Sequence, residues 1–209
     1  MRIRMYNVGF GDCFCIRDRK SSLLVDFGAA NSKIEGRPRR EVFDVIISDL
    51  TTIRKKNLLL TPGIYDLEEP IAVNRPDTIV LGMGLATLRA AKGNVCLETG
   101  NVQGLILAGL LFDAGEIKSD NLLVIGNEGQ KSEDNGKNIY LSDLFFHVGG
   151  TDTDTPVSVK CCATINSNHV VGDNFWVWRA DHGDNVAWEK NEAENGIIIN
   201  GDDVTMYAL

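Results

Sequence analysis

Short runs in which apolar residues alternate with polar ones recur beyond residue 57, separated by Gly, Asn, Asp and Ser, with no amphipathic helix between them. Alternation of period two over four to eight residues predicts half-buried strands. Five of these runs are similar to one another: "IVLGMGLA" from Ile79, "LILAGLLF" from Leu105, "IYLSDLFF" from Ile139, "HVVGDNFW" from His169 and, more weakly, "DVTMYAL" from Asp203. Each alternates about a small central residue and then carries a bulky pair, such as Leu111-Phe112, Phe145-Phe146 or Phe175-Trp176. On that alignment Asp143 and Asp173 occupy the same position and stack on one face. One such run cannot bury its inward face alone, whereas stacked parallel copies form an in-register ladder with a continuous interior. The repeat therefore predicts a mainly β chain whose residues 57–209 form a parallel β-helix, with loops such as "NEGQKSEDNGK" at 127–137 projecting from its turns. A β-sandwich would also alternate, but without similarity from rung to rung. Asn166, Asn168, Asn174 and Asn200 read as turn residues, because Asn tolerates left-handed backbone and can ladder between coils.

Residues 1–56 read differently. "MRIRMYNV", "DCFCIRD" and "SSLLVDFG" predict three strands, and "RREVFDVIISDLTTIRK" sets Val42, Val45, Ile46 and Leu50 at helical spacing before a strand over Leu58–Leu60. This is a small α+β (βββα) segment. In that order "YNVGFGDCFCI", "LLVDFG" and "NLLLT" resemble the N-terminal portion of the metallo-β-lactamase fold superfamily. The resemblance implies a HxHxDH zinc motif directly after Thr61, of which the chain keeps only the carboxylate, Asp66, with Pro62, Ile64 and Leu67 in place of the histidines. Pro, Ile and Leu offer zinc no lone pair, and the three histidines, His147, His169 and His182, lack ligand spacing. No metal site and no zinc hydrolase are expected.

The later stretches "NLLLTPGIYDLEEPIAVNRPDTIVLGMGLATL", "GLILAGLLFDAG", "NSNHVVGDNFWVWRADHG" and "GIIINGDDVTMYAL" resemble a bacterial right-handed β-helix family of the pectate-lyase-like class, related to family 55 glucan-β-1,3-glucosidase-type proteins. That resemblance implies a carbohydrate-directed role and relatives that are often secreted. Residues 57–61 fit both patterns, so they are read as the junction of a hybrid: a 1–56 metallo-β-lactamase-like fragment and a 57–209 β-helix segment. "DDVTMYAL" stops inside a rung, so an incomplete, C-terminally truncated solenoid is expected, with self-association through its uncapped last rung.

Charge narrows the partners. The net charge of −8 and pI near 4.9 argue against nucleic acid and anionic membranes, which need clustered Lys and Arg, and leave polysaccharides or oligosaccharides open. Residues 1–56 carry +5 and residues 57–209 carry −13, in keeping with two segments of different origin. No apolar signal core and no 18-residue apolar stretch is present, so the chain as written is expected in the cytoplasm. Cys13, Cys15, Cys96, Cys161 and Cys162 lack CxxC spacing and are expected to be buried thiols. "GFGD" and "GMG" lack the lysine of a phosphate loop, and no cofactor is expected.

Candidate chemistry concentrates in "FWVWRADHGDNVAWE". Glycoside hydrolysis needs one protonated and one ionised carboxyl about 5–10 Å apart, with aromatic faces to hold sugar rings. Asp181, Asp184 and Glu189 are the candidate catalytic carboxyls; Trp176, Trp178, Trp188, Arg179 and His182 are the candidate substrate-binding residues. On a strand Trp176 and Trp178 share one face and Phe175 and Val177 the other, so an outward Trp pair would be a sugar platform. "ADHGDN" also reads as a plain polar turn. Arg179 is the one base available for lyase chemistry near the cluster. Asp66, Glu68 and Glu69 read as solvent-facing, and Asp113 as a lesser candidate. The competing readings are a metal-free metallo-β-lactamase-fold protein and a structural or adhesive solenoid without catalysis.

Overall fold

The computed structural model describes residues 2–7, 12–17, 22–25, 33–34, 37–38, 56–130, 136–150 and 154–209. The first strands are β1 (Arg2–Asn7), β2 (Asp12–Arg17), β3 (Ser22–Val25), β4 (Lys33–Ile34) and β5 (Arg37–Pro38). They are followed by β6 (Lys56–Leu60), β7 (Ile64–Leu67), β8 (Ile71–Val73), β9 (Ile79–Ala90), β10 (Leu97–Thr99), β11 (Ile106–Asp113) and β12 (Ser119–Ile125). The last are β13 (Ile139–Val148), β14 (Val159–Ile165), β15 (Val170–Arg179), β16 (Ala193–Ile199) and β17 (Val204–Tyr207). The three strands expected before residue 26 are present; the helix expected around Val42 to Leu50 lies outside the described residues.

From β6 onward the strands run in parallel coils, so the fold is a parallel β-helix. One sheet takes the order β6-β9-β11-β13-β15-β17, with β7 beside β9, and the second takes β8-β10-β12-β14-β16. β6 is also the seam with the first segment: it pairs in parallel with β3 on one side and β9 on the other. The antiparallel strands β1 to β3 thereby extend the same sheet.

Between the two sheets, identical positions of successive rungs stack into columns. Val80, Leu107, Leu141, Gly172 and Met206 form one inward column of the larger sheet, and Leu88, Phe112, Phe146 and Val177 another. Val73, Thr99, Ile125, Ile165 and Ile199 face them in register from the second sheet. Phe112 and Phe146 stack at 5.0 Å and Phe146 and Phe175 at 6.1 Å. Where Gly172 leaves a gap, Met206 and the Phe175 ring occupy the space that a Cβ would take. Cys96, Cys161 and Cys162 are free and buried, as expected, while the side chains of Cys13 and Cys15 lie outside the described residues. Burial pushes the Cys162 thiol up to about 12 and raises Cys96 as well.

Three of the long rungs carry one left-handed residue at the same place, Gly109 (φ 68), Asp143 (φ 52) and Asn174 (φ 54), and β9 carries two, Gly84 (φ 59) and Leu85 (φ 58). The extra residue bends the strand and sets successive inward positions three apart, as at Leu141 and Leu144. The pairing itself runs one residue off the sequence alignment at β15 and at the start of β9, where Ile79 pairs with Ile106 rather than Leu105. Ile139 pairs with Val170 rather than His169, and Leu111, Phe145 and Trp176 share a column, so the bulky pair of β15 is Trp176-Val177, not Phe175-Trp176. Asp173 lies opposite Ser142 and Tyr207, not opposite Asp143. The Asp143 carboxylate instead accepts a 2.6 Å hydrogen bond from the Asn174 amide. At the other turn Asn200 Nδ2 donates to Asn166 Oδ1 at 2.8 Å and Asn166 Nδ2 to the Gly126 carbonyl at 3.0 Å, the ladder expected of those asparagines.

Two outcomes follow. Phe146→Ala removes the middle ring of the inward stack and is expected to lower unfolding free energy by about 3–5 kcal/mol in urea titration, where a change under 1 kcal/mol would mean the stack is not the core. Cys96 and Cys162 are expected to resist alkylation at pH 8 in the native chain and to react in urea, read by peptide mass; equal rates in both conditions would contradict their burial.

Candidate functional site

Alternation beyond the left-handed column settles which side chains leave the solenoid. Phe175 is 4% exposed and Trp176 56% exposed, so the Trp pair faces outward. Two outward columns run side by side across the larger sheet. One holds Ile64, Thr87, Leu111, Phe145 and Trp176; the other holds Asp66, Arg89, Asp113, His147 and Trp178.

The last two rungs supply an aromatic wall. Trp176 and Trp178 lie 5.3 Å apart with an interplanar angle of 14°, and Phe145 meets the edge of Trp176 at 6.3 Å. His147 stacks on Trp178 at 4.9 Å, and His182 tilts toward it at 5.2 Å. A broad, half-exposed aromatic surface with a few polar edges is the chemistry that packs against sugar rings.

Polar groups sit under and beside that wall. Asp113, 1% exposed, is the one buried carboxylate among the described residues, and its Oδ1 lies 3.2 Å from His147 Nδ1. Next along the column Arg89 Nε donates to Asp66 Oδ1 at 2.6 Å, and that bond holds the guanidinium above its ordinary range. Glu68 and Glu69 are exposed, as expected. Asp113 and His147 were separate minor features of the sequence, one a lesser carboxylate and the other an isolated histidine. Their signal was the rung repeat, because both stand eight residues after the starts at Leu105 and Ile139.

The loop between β15 and β16 carries the expected carboxyls, and its shape comes from two side chains. Asn191, fully buried, donates Nδ2 to the carbonyls of Val148 and Ala180 at 2.8 Å each and accepts the Ala187 amide on Oδ1 at 3.0 Å. Arg179 donates Nε to the Asn191 carbonyl at 2.9 Å and a second guanidinium N–H to the Trp188 carbonyl. These bonds hold Ala187 (φ 77) and Trp188 (φ 52) in left-handed backbone that side chains rarely adopt. Arg179 is thus a loop clamp rather than a base, since its guanidinium stays protonated and is engaged by carbonyls.

The predicted site residues therefore divide. Trp176, Trp178 and His182 come together. The Trp188 ring is 89% exposed and makes no ring contact among the described residues. Asp181 hydrogen-bonds His182 Nδ1 at 2.9 Å, which holds its carboxyl below the usual range. Asp184 and Glu189 are exposed on the same loop. Among the described residues no three His, Cys, Asp or Glu side chains form a group able to hold a metal. No helix there is long and apolar enough to cross a membrane.

Comparison with known proteins matches residues 44–209 to the LAM55 pectate lyase-like domain. A protein named exo-beta-1,3-glucanase, from Streptomyces sp. (strain SirexAA-E / ActE), is 40% identical over 153 residues, covering 73% of this chain and 25% of that protein. Two solved structures of sacteLam55A from Streptomyces sp. SirexAA-E, one without a stated ligand and one of a variant in complex with glucose, superpose with TM-scores of 0.70 and 0.69 at 30% identity. Each covers 98% of this chain and 38% of its own, so the chain spans well under half of the relatives it matches. That coverage takes in the first segment, and the metallo-β-lactamase resemblance finds no support.

The Asn191 clamp yields a test. Asn191→Ala is expected to destabilise the chain by about 1–3 kcal/mol and to accelerate amide exchange across 181–190 while β13 and β15 stay protected. Unchanged exchange in that loop would mean other contacts shape it.

Proposed function

Because the chain belongs to the LAM55 pectate lyase-like domain family, we propose that it is a carbohydrate-active β-helix that holds β-1,3-glucan on the outward face of its larger sheet. The observation that carries this reading is the outward, stacked Trp176–Trp178 pair. Indole faces bury the apolar faces of pyranose rings, and neighbouring His and Asp edges meet the hydroxyls. The net charge of −8 favours a neutral glucan over a uronan, whose own carboxylates would be repelled. The name of the Streptomyces relative supports β-1,3-glucan as the substrate class.

Hydrolysis is the further part of the reading. The bond from His182 keeps Asp181 in the ionised form required of a base or nucleophile, with Asp184 and Glu189 in the same loop as candidates for the protonated partner. Arg179 is withdrawn from the lyase alternative by its carbonyl bonds.

Tryptophan fluorescence titrated with β-1,3-gluco-oligosaccharides, β-1,4-glucans and uronans tests the platform. Saturable binding that prefers β-1,3-glucan is expected, weakened about tenfold or more, on the order of 1.4 kcal/mol, in Trp178→Ala. Absence of saturable binding, or equal affinity in the variant, would turn the assignment toward a structural solenoid. Reducing-sugar release from β-1,3-glucan that Asp181→Asn lowers by about a hundredfold or more would support its catalytic part; release unaffected by the substitution would remove Asp181 from it.

A further inference from the structure

Asp113 presents an energetic problem that the platform itself does not explain. A carboxylate 1% exposed in the wall of a solenoid is costly unless a donor satisfies it. An apolar residue would fill the same place in the column, as Leu111 and Phe145 do one column away. Its hydrogen-bonding partner is His147 Nδ1, at 3.2 Å from Oδ1, one rung up in the same column. A carboxylate can only accept, so this pairing calls for the Nδ1–H tautomer of the imidazole and sets its ring plane.

That plane is the one that meets Trp178, at 4.9 Å and 30°. Trp178 in turn stacks on Trp176. Near the opposite edge of the imidazole lies Gly150, in left-handed backbone (φ 81), where a Cβ would meet Ala180 Cβ at 2.9 Å and come within 3.4 Å of His147 Nε2 and the His182 carbonyl. Charged and titratable groups around the dyad include the Cys96 thiol beside Asp113, Arg89 with Asp66 and Glu116, and His182 with Asp181 on the loop above.

We propose that Asp113 and His147 form a positioning dyad: the buried carboxylate orients the imidazole, and the imidazole fixes the indole of Trp178 in the orientation that receives a sugar ring. The inference rests on the glucan-platform reading for its ligand, but the orientation of Trp178 is a property of the free chain. His147 and Asp113 are positioning residues; neither touches the reacting atoms.

The chain has three histidines, so their imidazole C–H signals are assignable in the full chain by His147→Gln, His169→Gln and His182→Gln. In the ligand-free protein the His147 signals are expected upfield, in the ring current of Trp178. Asp113→Leu, which keeps the volume and removes the acceptor, is expected to abolish that shift and weaken β-1,3-gluco-oligosaccharide binding about fivefold to tenfold. Asp113→Asn, which keeps an oxygen in place, is expected to restore most of both. If Asp113→Leu does not fold, His147→Gln is read instead by acrylamide quenching of tryptophan and by the same titration, with the same weakening expected. An upfield shift and an affinity that survive loss of the carboxylate or of the imidazole would overturn the dyad while leaving the platform intact. A dependence of the shift on Asp113 in a chain that binds no glucan would sustain the positioning role and remove only its ligand.

Discussion

A rung of this solenoid has no interior of its own. Its inward side chains are covered by those above and below in the same column, and its backbone N–H and C=O groups pair with the neighbouring coils on either side. In-register parallel pairing is therefore the constraint on which the rest depends: it makes Leu107 sit on Leu141 and Phe112 on Phe146, and it leaves no freedom to slide by one residue without turning a column inside out. The same pairing reaches into the first segment through β6, which shares its edges between β3 and β9.

Within that constraint, the left-handed column decides what faces outward. Gly109, Asp143 and Asn174 each add a residue between two inward positions, so the alternation restarts after the bend. Asp143 and Asn174 stabilise this conformation with a hydrogen bond between rungs instead of with glycine's freedom. The restart puts Phe175 inside and Trp176 and Trp178 outside. The aromatic wall is thus a consequence of backbone geometry two residues away, and its neighbours in the column, His147 and Asp113, follow from the rung spacing alone.

The loop beyond β15 is shaped by a different economy of bonds. Asn191 bonds the Val148 and Ala180 carbonyls and the Ala187 amide, and Arg179 bonds the Asn191 and Trp188 carbonyls, tying the left-handed turn at Ala187 and Trp188 to the end of β13 and β15. That shapes the segment carrying Asp181, Asp184 and Glu189, which reaches Trp178 through His182, while leaving the carboxyls themselves exposed. Binding surface and candidate chemistry are consequently built by separate devices, the one by stacked columns and the other by a side-chain clamp.

Much of the fold was legible in the amino-acid order. Alternation about small central residues, repeated from Ile79 to Asp203, is a local property of each rung, and it alone indicated strands, stacking and an inward face. The asparagine ladder was legible as well, because an amide side chain both donates and accepts and can bond the equivalent position of the next coil. The one-residue register between β13 and β15 was not, because similar apolar residues on both sides of the bend make two alignments nearly equivalent until hydrogen bonds choose one. The tryptophans and Asp181 were readable as residue types in one stretch. That Asp113 is buried beneath His147, that His147 lies against Trp178, and that Arg179 serves the backbone are decided only by tertiary structure: the first two join residues 34 and 31 apart through the stacking of coils, and the third needs the loop after β15 to fold back on its own strand.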